Sequence, residues 1–511
     1  MGGAGTVLDL WESSVATESD TVFVRYGERA VTRAEADVRV RRLAAAWSGI
    51  GVRAGDRVAV QLQNVPELVD AVLTAWRLGA VVVPVNPMYR ERELEHVLTD
   101  SGARLLVHDA ATAELVAPAA AAAGVAAIWT DQDVADAADA PGAVDGAAGI
   151  ARPLAEDPAL ITYTSGTTGP AKGAVASHAN VLAGALVYRD QIGVGAGSVI
   201  LGVAPICHVT GMIGHLAVAV AGSGELVLMG RFDPARAIEL IESARVTFTI
   251  GALTAYLAML AEAARRQSDF SSLRALYSGG APVVPAVAAE VEKVFGVPLG
   301  NAYGMTETTS ICHLTTLGEQ APVDPASGAL SIGRPVPGTS AWIVDDDGRR
   351  LGPGETGELV VRGPGVVSGY WNNPEASAEA LLDGAIRTGD VALVDDHGWY
   401  YIVDRRKDQI NASGFKVWPR EVEDVLYQHP AVAEAAVFGV PDPYRGETVV
   451  AAVVPRAGHQ VDPEELIAFV RARLAPYKSP RRVRILDQLP TTSSGKILRR
   501  VLREKEETAH A

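Results

Sequence analysis

Apolar and polar positions alternate along the first third of the chain in two distinct periods. Val58, Ala59, Val60 and Leu62 make a short apolar run with the period of a strand. Leu68, Val69, Val72, Leu73 and Trp76 then recur at helical spacing and predict an amphipathic helix over residues 66–78. A β-branched run at 81–85 predicts a second strand, 93–99 a helix and 105–107 a third strand. This βαβ rhythm implies a largely parallel sheet. The Ala-rich stretch 110–127 reads as helix, and the polar stretch 131–157, rich in Ala, Gly and Asp, as a loop. A strand at 160–164 and helices at 234–244 and 252–266 continue the pattern.

From 333 to 401 the character changes to short β-rich runs between Gly and Pro turns, which predicts a small, mostly antiparallel unit. A charged cluster, Arg405 to Asp408, follows. Beyond it Pro419 opens a helix at the position where Pro is tolerated, and Pro430 stops it. Strands at 435–440 and 449–454, a helix at 463–474 and another after Gly495 complete an α+β pattern. The expected fold class is α/β: a large N-terminal domain of βαβ-type sheets plus a small β-rich unit, residues 1–404, then a small α+β C-terminal domain, residues 405–511. No internal repeat is visible.

Composition narrows the function. The 511 residues are 48% hydrophobic and 21% charged, an ordinary globular mix. A formal charge of −16 argues against a nucleic-acid-coating role, though local sites can still bind small anions. Two cysteines, Cys207 and Cys312, are too few for a disulfide framework, so a reducing cytoplasmic setting is expected. Each precedes a His, but the spacing fits no zinc pattern, and buried inert thiols are expected. No signal peptide and no transmembrane segment is expected.

Four segments carry chemistry. The first, YTSGTTGPAKG at 163–173, follows a predicted strand. It can offer backbone N–H groups and hydroxyls to phosphate oxygens, with Lys172 as a point charge. It is not a Walker A loop, which has Gly before the Lys and Ser or Thr after it. The second is Asn301 to Glu307, where Tyr303 can stack on a base and Glu307 can offer Mg²⁺ a hard oxygen. The third is Arg387 to Asp390, with a carboxylate able to take two hydrogen bonds from a ribose diol. In the fourth, TTSSGKILRR at 491–500, Lys496 ends a polar loop. Taken singly, each of the last three also reads as a buried aromatic, a turn or a surface lysine.

In this order the four resemble the adenylate-forming superfamily of acyl-CoA synthetases, firefly luciferases and peptide-synthetase adenylation domains, over nearly the whole chain. The resemblance is strongest to bacterial fatty-acyl-CoA ligases, through Gly414 to Glu423. It implies a phosphate loop of Thr164, Ser165, Gly166, Thr167, Thr168, Gly169 and Lys172. It implies an adenine wall of Gly280, Ala281, Pro282, Asn301, Ala302 and Tyr303. Thr306 and Glu307 match its α-phosphate and Mg²⁺ residues, Asp390 and Arg405 its ribose contacts, Lys407 its hinge and Lys496 its catalytic lysine. His208 matches a catalytic position beside the acid. His208, Val209, Met212, Gly280 and Gly304 match the acyl pocket, and Ser413, Gly414 and Phe415 the CoA tunnel. The C-terminal domain is then a mobile lid.

The implied reaction uses ATP, Mg²⁺ and CoA. A carboxylic acid, apolar fatty or aryl, is activated as acyl-AMP with pyrophosphate release, then passed to the CoA thiol. Alternatives are transfer to a carrier-protein phosphopantetheine or an amine, adenylation of an unusual oxyanion, a luciferase-like oxygenase, and a non-catalytic nucleotide sensor. No serine-hydrolase elbow is present. Two positions depart from the family pattern. Ala171, not Pro, directly precedes Lys172, and Asp404, not Gly, precedes Arg405. Between 476 and 505 nine Lys or Arg face two acidic residues, a basic segment that suits a CoA phosphate or a solvated helix equally well.

Overall fold

The computed structural model describes residues 5–141, 152–164, 171–405, 408, 410–412, 415–442, 446–492 and 495–508. Within them the strands form four sheets, of nine, six, five and five strands. The six-stranded sheet runs in the order Ala127–Thr130, Leu105–His108, Arg57–Gln61, Val81–Pro84, Pro158–Tyr163, Gly173–Ser177, parallel except for the last pair. The nine-stranded sheet has a parallel centre. There Glu225–Leu228, Val199–Leu201, Phe248–Gly251, Ala275–Ser278 and Leu299–Met305 lie side by side.

These two sheets share a core. Helices Arg33–Gly49, Pro66–Arg77 and His178–Ile192 lay Trp47, Trp76 and Tyr188 into one buried cluster with Trp11, Phe248 and Ile250. Pro66 sits at the first helical position, where its fixed φ suits the turn and its missing N–H costs nothing. The indole of Trp76 also donates a hydrogen bond to the Ala159 carbonyl at 3.1 Å, where the strand pairing shifts register.

The antiparallel unit is as expected. Ser340–Val344, Gly357–Arg362, Ala385–Val394 and Tyr400–Arg405 pair antiparallel around Ile343, Leu359 and Tyr400. The C-terminal domain has its own core of Val422, Leu426, Val437, Ala451 and Leu466. Helix Pro419–Tyr427 packs there against strands Val432–Asp442 and Gly446–Pro455.

Two expectations need correction. The Ala-rich helix ends at Ala122, and Ala127–Thr130 forms an edge strand beside Leu105–His108. The polar segment after it is not all loop, because Asp131–Asp139 is helical. Thr130 caps this helix reciprocally with Asp133, and Val134 and Ala138, one turn apart, are its buried side chains. Among the described residues no helix is long and apolar enough to cross a membrane.

Trp76→Phe keeps most of the buried area but removes the donor from the Ala159 carbonyl. The expected loss is about 1–3 kcal/mol, read as a lower urea midpoint with an unchanged slope.

Candidate active site

Parallel strands present their carboxyl ends on one edge, and ligands of open α/β sheets bind there. Four of the segments singled out in the sequence begin at such an edge: the loops after Tyr163, Leu201 and Ser278, and the end of Leu299–Met305.

In the hairpin expected to bind phosphate, the Thr164 N–H donates to the Lys172 carbonyl at 2.9 Å, closing the stem. Gly173 has no room for a side chain, since a Cβ would lie 2.6 Å from Ile161. Ser165, Gly166, Thr167, Thr168 and Gly169 lie outside the described residues. The Lys172 ammonium stands 5.4 Å from the centre of the Tyr370 ring. The Tyr370 hydroxyl in turn donates to Glu307 Oε1 at 2.7 Å, and Glu307 is buried in the short turn Thr306–Thr308. Burial and the Glu307 carboxylate hold the Tyr370 phenol well above its ordinary pKa, so it remains a donor. The backbone of Tyr370 is fixed as well. Its neighbours Gly369 and Trp371 exchange hydrogen bonds with Val175 and Gly173 of the hairpin's second strand. Just beyond Glu307, Thr309 (φ 46°) and Ser310 (φ 89°) are held in the left-handed region. A hydrogen bond between the Tyr188 and Ser310 hydroxyls at 3.0 Å steadies that bend.

The positions expected to line the adenine and the ribose lie close together. The turn after Ser278 leaves Gly280 (φ 79°) and Pro282 exposed and Ala281 half-buried. Asn301 is buried and its amide donates to the Ser331 carbonyl at 3.2 Å, while Ala302 is buried below. The Tyr303 hydroxyl donates to Asp390 Oδ2 at 2.6 Å, so the two positions assigned to base and ribose are joined directly. Burial and Asp390 push the Tyr303 phenol far above its usual range. Arg405 pairs with Asp390 in backbone register. At Gly304 a Cβ would stand 1.6 Å from the Ser310 carbonyl oxygen.

His208 opens the helical segment Val209–Gly211, and Met212 is fully buried at the start of the wider turn Met212–Ala217. Burial lowers the His208 pKa, so the imidazole is neutral at pH 7. Val209 is half-buried. Two residues that the sequence pattern does not expose hold this loop. The buried Asn64 amide donates to the Gly202 and Ala204 carbonyls, each at 3.0 Å, and its oxygen accepts from the Ile206 N–H at 2.8 Å. His215, its pKa lowered by burial to about 3, accepts from the Ala204 N–H. Cys207 and Cys312 are buried free thiols raised by desolvation to about 12.

The C-terminal domain reaches the same edge. The Lys496 N–H is held by Thr492 Oγ1 at 3.0 Å, and the Gly495 carbonyl accepts from the Thr254 hydroxyl at 3.4 Å. Gly495 lies at φ 81°, and a Cβ there would be 2.3 Å from that hydroxyl. Thr254 sits just past the carboxyl end of Phe248–Gly251. The buried Arg420 guanidinium donates to the Ile402 carbonyl at 2.7 Å and to the Val283 carbonyl at 3.3 Å, beside the turn after Ser278. Lys407, Ser413 and Gly414 lie outside the described residues. Phe415 begins the short strand Phe415–Val417. Several of the basic residues at 476–505 already have carboxylate partners: Lys478 pairs with Glu421, Arg482 and Arg484 with Glu506, Arg499 with Glu423, and Arg500 with Glu504.

The comparisons agree with this architecture. The family model for the AMP-binding enzyme matches residues 11–371, and that for the AMP-binding enzyme C-terminal domain matches 421–496. A feruloyl-CoA synthase from Amycolatopsis sp is 40% identical over 482 residues, 94% of this chain and 95% of its own. A long-chain-fatty-acid–CoA ligase from Bacillus subtilis (strain 168) is 35% identical, covering 99% and 95%. The crystal structure of ATP-bound MatB from Rhodopseudomonas palustris superposes with a TM-score of 0.89 at 29% identity, over 100% of both chains. The apo crystal structure of the same protein gives 0.77. The chain belongs to the AMP-binding enzyme family, within the adenylate-forming superfamily. By class it is an AMP-forming acid–thiol ligase that uses ATP and CoA.

Tyr370 was invisible to motif reading, because Glu307 and Lys172, the partners of its hydroxyl and ring, lie 63 residues or more away. Tyr370→Phe removes the donor from Glu307. If that hydrogen bond orients the carboxylate, ATP-dependent pyrophosphate release falls by about tenfold or more, as for a charge-assisted bond of ~1.5–3 kcal/mol. Unchanged circular dichroism marks the loss as local.

Proposed function

We propose that this ligase activates an apolar aryl or fatty acid as its acyl-adenylate and transfers the acyl group to the thiol of CoA. The observation that carries the reading is the docking of the Lys496 loop, through Gly495, on Thr254 at the edge where Lys172, Tyr370, Glu307 and Tyr303 are gathered. The closer match to ATP-bound than to apo MatB supports reading this as the adenylating arrangement of the two domains.

In the first step an oxygen of the substrate carboxylate bonds to the α-phosphorus, and the bond from phosphorus to the bridging oxygen breaks, releasing pyrophosphate. Nucleophile and target are both anionic, so the barrier is largely electrostatic. Lys496 draws the carboxylate and α-phosphate together, and Lys172, with the loop from Thr164, holds the leaving phosphates. Thr306 adds a hydroxyl to the α-phosphate, while Asp390 and Arg405 hold the ribose and Gly280 to Pro282 with Tyr303 flank the base. Glu307 suits Mg²⁺: it is one buried carboxylate, and among the described residues no group of three or more His, Cys, Asp or Glu side chains could form an all-protein cage. Magnesium that depends on substrate phosphates is bound in that way. Bound there, the ion would offset part of the triphosphate charge.

In the second step the CoA sulfur attacks the acyl carbonyl, the bond to the AMP oxygen breaks, and the thiol proton leaves. The family resemblance gives this step to a second lid position, reached by turning residues 405–511 at Lys407, with Ser413, Gly414 and Phe415 along the thiol's path. A neutral His208 with Val209, Met212, Gly280 and Gly304 forms a lining without formal charge, which favours an apolar acyl group. The aryl and fatty acids named for the feruloyl and long-chain relatives share that character.

A pyrophosphate-release screen over aryl, fatty and small acids, repeated without CoA, tests the assignment. Acyl-CoA appearing only when acid, ATP and CoA are all present supports it. Release that is indifferent to CoA, with product only when an amine or carrier protein is added, favours the alternative acceptor.

Lys496→Ala slows adenylation by on the order of a hundredfold, since it removes a charge acting at the transition state. Thioester formation from supplied acyl-adenylate survives. Equal losses in both half-reactions contradict the role. Glu307→Gln raises the Mg²⁺ concentration needed for half-maximal adenylation, and an unchanged titration removes Glu307 from the metal site.

A further inference from the structure

Lys172 is positioned from outside the hairpin that carries it. Helix Glu91–Ser101 lies against that hairpin, and its last two turns make four hydrogen bonds and one ring contact. His96 Nε2 is 2.8 Å from the Ala171 carbonyl oxygen. A carbonyl oxygen only accepts, so Nε2 carries the proton, in the neutral Nε2–H tautomer and in the imidazolium alike. The His96 ring packs edge-on against Tyr163, centroids 6.0 Å apart, and the Tyr163 hydroxyl donates to Asp100 Oδ2 at 2.6 Å. The Asp100 carbonyl accepts from the Trp371 indole and from the Asn372 amide, each at 3.1 Å.

These contacts fix three pieces at once. Tyr163 ends the strand entering the phosphate hairpin, and Ala171 leads out of it. Trp371 and Asn372 immediately follow Tyr370, the ring over which the Lys172 ammonium sits. The Ala171 carbonyl belongs to the same peptide plane as the Lys172 N–H. Holding that oxygen sets the orientation of the plane from which the lysine departs. No proline stiffens this peptide, because the residue before Lys172 is Ala. The bond from His96 supplies the constraint from a different element.

We propose that His96 is a positioning residue for the nucleotide: it holds the Ala171–Lys172 peptide so that Lys172 meets the phosphates of ATP. His96 does not touch the reacting atoms, and it contributes nothing to the thiol step. The inference rests on the reading of residues 164–172 as a phosphate loop.

The test is ATP titration of the full-length protein by calorimetry with no acid present, so it needs no turnover. His96→Phe keeps a ring against Tyr163 and loses the donor. Its ATP dissociation constant rises by about fivefold, the worth of one ordinary hydrogen bond. His96→Gln, which restores an N–H donor, returns to within about twofold of the natural protein. With active enzyme, the KM for ATP moves in the same proportion, while the KM for the acid and conversion of supplied acyl-adenylate stay unchanged. An unaltered dissociation constant in His96→Phe overturns the proposal. So does a loss that His96→Gln fails to recover, or one that lowers the supplied-adenylate reaction equally. If the natural protein binds ATP yet forms no adenylate with any acid, the proposed function fails and the binding constants still decide the role of His96.

Discussion

The buried side chain of Asn64 makes three hydrogen bonds to a loop 138 or more residues away. Asn64 follows the strand Arg57–Gln61 of the six-stranded sheet, whereas its partners at 202–206 follow Val199–Leu201 of the nine-stranded sheet. Main-chain groups in such a loop have no ladder to join, and leaving them buried without partners costs about 1–3 kcal/mol each. One carboxamide satisfies two carbonyls and an N–H, so the 202–206 loop is tied to the opposite sheet as well as to its own, where the Gly202 N–H donates to Val227. The position of His208 is thereby set by how the two sheets pack. Their shared core, with Trp11, Trp47 and Trp76 fully buried, holds that packing constant. The proposed phosphate hairpin hangs from one sheet and the proposed adenine-wall turn from the other, so the same packing also fixes the distance across the site.

Charge is distributed with similar economy. In a chain of formal charge −16, the two lysines proposed to meet the phosphates lie on different domains. Lys172 rests on an aromatic face beside a hydrogen-bonded carboxylate, whereas Lys496 arrives on the C-terminal domain. Much of the basic segment around Lys496 is taken up by carboxylates that tie helix Arg499–Thr508 and strand Arg482–Ile485 into the domain. At least five of the nine Lys and Arg in that segment have carboxylate partners within the domain.

The βαβ rhythm, the antiparallel unit and the separate C-terminal domain were legible because they depend on local periodicity and on Pro and Gly at element ends. The strand Ala127–Thr130 and the helix Asp131–Asp139 were not. They lie at a sheet edge, where one exposed face dilutes the apolar pattern, although Thr130 with Asp133 was a capping signal in plain view. The candidate site divides in the same way. Loop residues with special backbone needs or hydroxyls stood out: Thr164, Gly280, Thr306, Lys496. Asn64, His96, His215, Thr254, Tyr370 and Arg420 did not, because each acts through a partner made adjacent only by the fold. Tyr303 and Asp390 were legible as residues but not as a pair, for they are 87 positions apart.

Gly304 bears on how this scaffold can diversify. The strand shifts register between Tyr303 and Gly304 and brings the Ser310 carbonyl to where a side chain would begin. Even a methyl group there collides with backbone, and backbone in a paired strand cannot yield by a rotamer change. In the proposed acyl pocket, chain length or ring size in the acid therefore cannot be selected by enlarging this residue, either by natural drift or in a mutant library. In that proposed pocket, variation in acyl size enters through side chains that can change without moving the main chain, and half-buried Val209 is one such position.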